Sequence, residues 1–415
     1  MKSKRNPKSK KTQGSKKNSK GILVGVAAAA IIVGVSLVFL INPEQNTTEP
    51  ESTQVESQKF TESKVSGAQQ IISECEDDIH CAVDKMQAFS KDEQDEEKIL
   101  ETFHQLVSLY EESYPCHEVG HHLGMWLYGH IGDFGEALKE AKMICGGAIY
   151  HGVIQNFFAI EHFKDADPSQ INFAELCPNV KGHLYSIDRW QCLHGLGHGL
   201  TVFYDNDVFE AVKICEQFEP GWEQISCSKG VFMQNVVDNV ESNTGLFDED
   251  DIYYPCNKLD QMWVPQCYHY HATFILKQSK LNVFDSYDLC DKIVPDEYVV
   301  YCYHGLGRQF EQNIGGKVSK AIQLCEAGKQ SSYYSDCLRG MVMTIVNGNT
   351  NPEQGFLFCK LLPEQYKTDC YDAVGRWVIM LQPTDERRTV QCIKAENSDY
   401  FDICMNASLE SLKLL

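Results

Sequence analysis

A cysteine that opens a helical stretch returns at a near-constant interval, and this limits most what the chain can fold into. "CLHGLGHGL" begins at Cys192, "CSKGVFMQN" at Cys227, "CYHYHATFI" at Cys267, "CYHGLGRQF" at Cys302, "CLRGMVMTI" at Cys337 and "CYDAVGRWV" at Cys370. Successive steps are 35, 40, 35, 35 and 33 residues, and Cys404 follows 34 further on. A period of this size marks a repeat array, in which each unit buries its apolar face on its neighbours. Counting from the cysteine, places one, four and eight are apolar: Leu193, Leu196 and Leu200, or Tyr303, Leu306 and Phe310. That is helical spacing. Small residues hold the third place at Gly195, Gly230, Gly305, Gly340 and Ala373. Glycine costs a helix about 1 kcal/mol relative to alanine, so its return predicts a closely packed neighbouring helix.

A second helix follows in each unit and ends in another cysteine, as in Gly315–Cys325 ("GGKVSKAIQLC"), Asp205–Cys215 and Gly132–Cys145. Two helices per unit predict an all-α fold: a right-handed α-solenoid of about eight helix pairs over residues 111–415, extended like a rod. In repeat length and in its second helix the array resembles tetratricopeptide and SEL-one-like repeats. The resemblance is one of architecture and implies a protein-binding surface; the tetratricopeptide Trp/Gly/Tyr pattern is absent.

All 18 cysteines lie between Cys75 and Cys404. An even number without any C-x-x-C points to disulfides in an oxidising compartment rather than to thiolate metal sites or c-type haem. In a helical hairpin the end of one unit and the start of the next lie together, which allows bridging within a unit or across the junction. Bridging within units strands Cys177 and Cys404 at opposite ends. The junction register pairs Cys177–Cys192, Cys215–Cys227, Cys256–Cys267, Cys290–Cys302, Cys325–Cys337, Cys359–Cys370 and Cys392–Cys404, with Cys116–Cys145 and Cys75–Cys81 completing the set. Each short loop should contribute on the order of 2–3 kcal/mol.

Ahead of the array the composition changes three times. Residues 1–20 hold nine Lys/Arg and no acid, and residues 21–41 are apolar without a charge. This length spans a hydrocarbon core of about 30 Å, so the expectation is a transmembrane signal anchor with the basic tail in the cytoplasm. Everything after Ile41 would then be extracytoplasmic, in a single-pass membrane protein. Residues 42–70 read as a disordered acidic stalk, and 71–110 as an N-terminal cap or divergent repeat. Outside the basic tail 28 Lys/Arg face 58 Asp/Glu, a balance that excludes nucleic acid as a partner. The acidic run at 91–98 lacks the glycine and spacing of an EF-hand loop. Asn46 and Asn406 open glycosylation sequons, which carry little weight.

The histidines cluster by register. His194, His269 and His304 take the second place after the cysteine, His198 and His122 the sixth, and His151 the second place of a unit where Ile149 replaces the cysteine. Equivalent places of a solenoid line one face, and pairs at i, i+4, His117/His121 and His194/His198, can grip Zn²⁺, Cu²⁺ or Fe. Later units carry Arg308, Arg339, Asp372 and Arg376 at those places, so the fold tolerates any polar group there, and packing alone could account for the histidines. "CHEVGHHLG" at Cys116–Gly124 contains His117-Glu118-x-x-His121, which looks like the zincin metallopeptidase motif. That resemblance implies zinc on both histidines and Glu118 as general base. The third metzincin histidine is missing: Leu127 stands there, and His130 comes three places late. Cys116 as a unit's opening cysteine would instead make this segment a first copy of the repeated helix. No G-x-S-x-G, Walker loop or dinucleotide fingerprint occurs.

Two functions follow. One is a membrane-anchored extracytoplasmic scaffold that binds a protein or ligand partner. The other is a metal-binding protein or zinc hydrolase built on His117, Glu118, His121, His122, His151, His194, His198 and His304.

Overall fold

The computed structural model describes residues 67–75, 78–110, 116–141, 145–159, 171–177, 187–242, 244–314, 317–348, 351–382 and 384–413. The regular secondary structure among these residues is all helical, joined by turns. Three helices come first: α1 (Gly67–Cys75), α2 (Ile79–Asp92) and α3 (Glu96–Tyr110). α1 starts inside the segment expected to be stalk, because Ala68 and Ile71 are buried.

Inner and outer helices then alternate. α4 (Cys116–Ile131) precedes α5 (Phe134–Glu140), α6 (Ala148–Ala159) precedes α7 (Phe173–Leu176), and α8 (Ile187–Phe203) precedes α9 (Val208–Cys215). α10 (Trp222–Ser242) has only a 3₁₀ turn, Cys256–Lys258, as its outer partner. α11 (Val264–Gln278) with α12 (Val283–Cys290), α13 (Val299–Ile314) with α14 (Val318–Glu326), α15 (Tyr334–Gly348) with α16 (Pro352–Leu361), and α17 (Glu364–Leu381) with α18 (Asp385–Cys392) follow, and α19 (Ser398–Lys413) ends the row. Each inner helix packs along the next.

Local chemistry explains where the outer helices start. Asp133, Asp207, Asn282, Asn351 and Thr384 each accept a hydrogen bond from a backbone N–H of the first turn. Caps of this kind contribute about 1 kcal/mol each. Bridges Cys177–Cys192, Cys215–Cys227, Cys256–Cys267, Cys290–Cys302, Cys325–Cys337, Cys359–Cys370 and Cys392–Cys404 tie the end of one unit to the inner helix of the next, and Cys75–Cys81 joins α1 to α2. The pairing Cys116–Cys145 lies outside the described side chains. Eight bridges fit an oxidising compartment.

The recurrent glycines mark helix crossings. A Cβ on Gly230 would stand 1.9 Å from the His194 carbonyl oxygen, on Gly305 2.1 Å from that of His269, and on Gly340 2.1 Å from that of His304. The third place of one inner helix thus rests on the second-place carbonyl of the helix before it. Gly152 meets the carbonyl of His121 at 1.9 Å in the same way.

Three expectations are corrected. Counted by these crossings, His121 holds the second place of α4 and Val119 the cysteine's place, three residues on from the register that Cys116 suggested. The glycine contact decides the register, because backbone approach tolerates no Cβ. The fold class is all-α, but the membrane-spanning helix expected as its first element is not found: no helix among the described residues is long and apolar enough to cross a membrane. Residues 21–41, to which it was assigned, lie outside the described residues. Nor is the array an extended rod. On α8, Gln191 Nε2 donates to Asn347 Oδ1 of α15 at 3.4 Å, and the Trp190 ring meets Trp377 of α17 at 6.0 Å between centroids. The row of inner helices curls until its third member touches its seventh and eighth, and its second-place side chains face an interior.

Candidate metal centre

Four successive inner helices each send one i, i+4 pair to the same point of that interior. α4 contributes His117 and His121, α6 His151 and Gln155, α8 His194 and His198, and α10 Gln234 and Asp238. Residues four apart share a helix face, and the close glycine crossings let the faces of adjacent helices meet. Five imidazoles result. The His121 ring lies 4.9 Å from His117, 5.1 Å from His151 and 5.4 Å from His198, and the His151 ring lies 5.0 Å from His194.

They form two triads with His151 in common. His117, His121 and His151 offer ligand atoms that all lie within 4.8 Å of one another, as do His151, His194 and His198. His121 Nε2 is 3.2 Å from His117 Nε2 and 3.4 Å from His151 Nδ1. Two nitrogens held by one tetrahedral ion at 2.0–2.1 Å would be about 3.3 Å apart.

A hydrogen-bond chain sets which nitrogens carry protons. The Asp238 carboxylate accepts from Gln234 Nε2 at 2.8 Å, which turns Gln234 Oε1 toward the cluster. That oxygen accepts from His198 Nδ1 at 2.8 Å and from Gln155 Nε2 at 2.8 Å. Gln155 Oε1 in turn accepts from His121 Nδ1 at 2.8 Å. One carboxylate thereby fixes the tautomers of two imidazoles and leaves both Nε2 atoms as lone-pair donors. Partners of this sort orient metal-bound histidines and raise their basicity. His194 Nδ1 lies 3.3 Å from the Ser226 carbonyl oxygen, and His151 Nε2 lies 3.2 Å from Gln191 Oε1.

Burial keeps four of the rings, those of His121, His151, His194 and His198, neutral, the form that ligates. His198 is fully buried, and desolvation lowers it to about 4 against the opposing bond to Gln234. Burial first, and neighbouring imidazoles second, hold His121, His151 and His194 well below the usual histidine range. Asp238 is pushed up to about 6 by burial. His198 Nε2 is a buried atom without a hydrogen-bond partner. Such an orphan costs about 1–3 kcal/mol unless something binds it. Neutral imidazole nitrogens, an orphan among them and spacings near those of a tetrahedral site fit a late first-row metal; calcium and magnesium want oxygen donors.

Other candidates lie elsewhere. His122 sits edge-on to His80 at 5.5 Å, and His304 faces Asp336 at 3.5 Å on a different part of the row. The Glu118 side chain lies outside the described ones. In the later units the same places carry ions rather than imidazoles, with Arg339 on Asp369 at 2.6 Å and Arg376 on Asp372 at 2.8 Å. The sequence reading passed over Gln155, Gln191, Gln234, Asp238 and Lys229. For two of them a signal existed: Gln155 is four residues after His151, and Lys229 holds the second place after Cys227.

No protein-family model matches the chain, and no curated protein or solved structure does either.

Proposed function

We propose that this is a metal-binding protein whose interior histidine cluster takes a late first-row transition ion, zinc or copper by its all-imidazole donor set. The observation that carries this reading is the convergence of two three-histidine groups on His151, with their tautomers set by the Asp238–Gln234–Gln155 chain. Three neutral histidines leave a tetrahedral ion one open position, so the reading includes room for an exogenous ligand. It takes precedence over a scaffold for a partner protein, because surface packing needs no buried orphan nitrogen.

The test is elemental analysis of the purified, disulfide-intact chain after exposure to zinc or copper and dialysis. We expect one ion per chain, because a neutral His151 has a single lone pair to give to either triad. His151→Ala, which removes the shared ring, should lower occupancy of both triads, while His304→Ala should leave the content unchanged. A wild-type chain without bound metal, or an H151A chain that keeps its full content, overturns the proposal.

A further inference from the structure

The second triad has a neighbour of opposite character. Lys229 on α10 and Arg308 on α13 point into the same interior and are near enough to repel each other. Lys229 acts on His194 of the triad, and both cations act on His269. Lys229 Nζ stands 5.6 Å above the Trp190 ring, and the Arg308 guanidinium lies 4.6 Å from the Tyr270 ring, whose centroid is 6.4 Å from that of His194. A path of touching side chains thus leads from Arg308 through Tyr270 to a triad histidine.

Neither cation has an acid in reach among the described residues. Arg308 donates to the Thr273 hydroxyl at 2.8 Å, and its Nε is buried without a partner. Glu311, three residues on from Arg308 along α13, is pushed up to about 6 by burial, and Asp336 faces His304 and Arg339. Buried charge that is neither paired nor hydrogen-bonded is costly. A metal ion held by neutral imidazoles would add further positive charge to the same interior. The missing counter-charge, the orphan guanidinium nitrogen and the open metal position all ask for an anion.

We infer that Lys229 and Arg308 form a binding site for a small oxyanion, of the carboxylate, hydrogencarbonate or phosphate class, seated against the His194 side of the metal cluster. Arg308 supplies the directed N–H donors and Lys229 the point charge. Tyr270 and Trp190 wall the site with their ring faces toward the two half-buried cations. The inference rests on the proposed metal reading only for the anion's second contact, the ion itself; the two cations stand without it.

The experiment is calorimetric titration of acetate, hydrogencarbonate and inorganic phosphate, at fixed ionic strength, into the full disulfide-bonded chain with and without zinc. Binding of at least one anion is expected, weakened tenfold or more in Lys229→Gln and in Arg308→Gln, with Lys229→Arg close to wild type. Circular dichroism and zinc content identify a variant that has lost its fold. Tighter anion binding with zinc supports the site together with the metal reading. Equal binding with and without zinc, still lost in K229Q, keeps the anion site and removes its metal contact. No binding of any of the three anions to a zinc-loaded wild type, or full binding by folded K229Q and R308Q, overturns the inference.

Discussion

At the scale of single residues the decisive group is Asp238, which heads the hydrogen-bond chain and orders two histidines through Gln234. Its carboxylate can only accept from Gln234, so the amide has one stable orientation, and the preference passes through Gln155 to His121. The histidine pairs at i, i+4 were legible in the sequence, since spacing alone puts them on one face. The carboxamides were not: glutamine is common on helices, and nothing along the chain says that Gln155 and Gln234 will meet across two of them. Burial of the rings has a consequence in pH. The unfolded chain protonates its imidazoles near 6.5, whereas His198 in the fold does so only near 4, and His121, His151 and His194 are depressed in the same direction. Below 6.5 the unfolded state therefore takes up more protons, and stability falls with pH toward 4. Asp238 and Glu311, each raised to about 6, oppose this, whereas His122, His269 and His271, lowered by burial as well, add to it. Calorimetry of the metal-free chain should show the melting temperature dropping between about pH 7.5 and about pH 5. A melting temperature unchanged over that interval would mean the rings are not held neutral.

At the scale of helices the register matters more than the composition. The motif His117-Glu118-x-x-His121 looks alike whether read as a peptidase helix or as a repeat copy, and only the crossing at Gly152 shows which face of α4 looks inward. Cys116 suggests a different register because a recurring cysteine marks only one end of a helix, whereas a backbone-to-backbone approach constrains its rotation. The third-place glycines were legible as signs of close packing. The same crossing makes a prediction. Gly230→Ala would place a methyl 1.9 Å from the His194 carbonyl oxygen. Overpacking of this kind costs about 1–3 kcal/mol. It should lower the melting temperature and also the metal content, because the displaced backbone carries His194. Normal metal content in a folded G230A chain would show that the crossing does not position the ring.

At the scale of the whole array, local signals stop being enough. Helix pairs and a repeat of about 35 residues are encoded in every unit, but curvature is a small rotation per unit added many times. No single unit announces that Gln191 will reach Asn347, or Trp190 reach Trp377. Bridges hold that curvature by tying each unit to the next. Replacing both Cys290 and Cys302 by serine removes a crosslink between residues 12 apart. The chain-entropy relation gives a loss of about 3 kcal/mol. Urea titration should show this as a lower midpoint. An unchanged midpoint would mean that packing alone sets the junction between α12 and α13.

All five imidazoles come from residues 117–198, whereas α15 and α17, which meet α8 at Gln191 and Trp190, come from beyond residue 330. During synthesis, then, a nascent chain holds every ring it needs well before its final third exists. On the metal reading proposed above, capture of an ion can precede closure, and the last units then retain it.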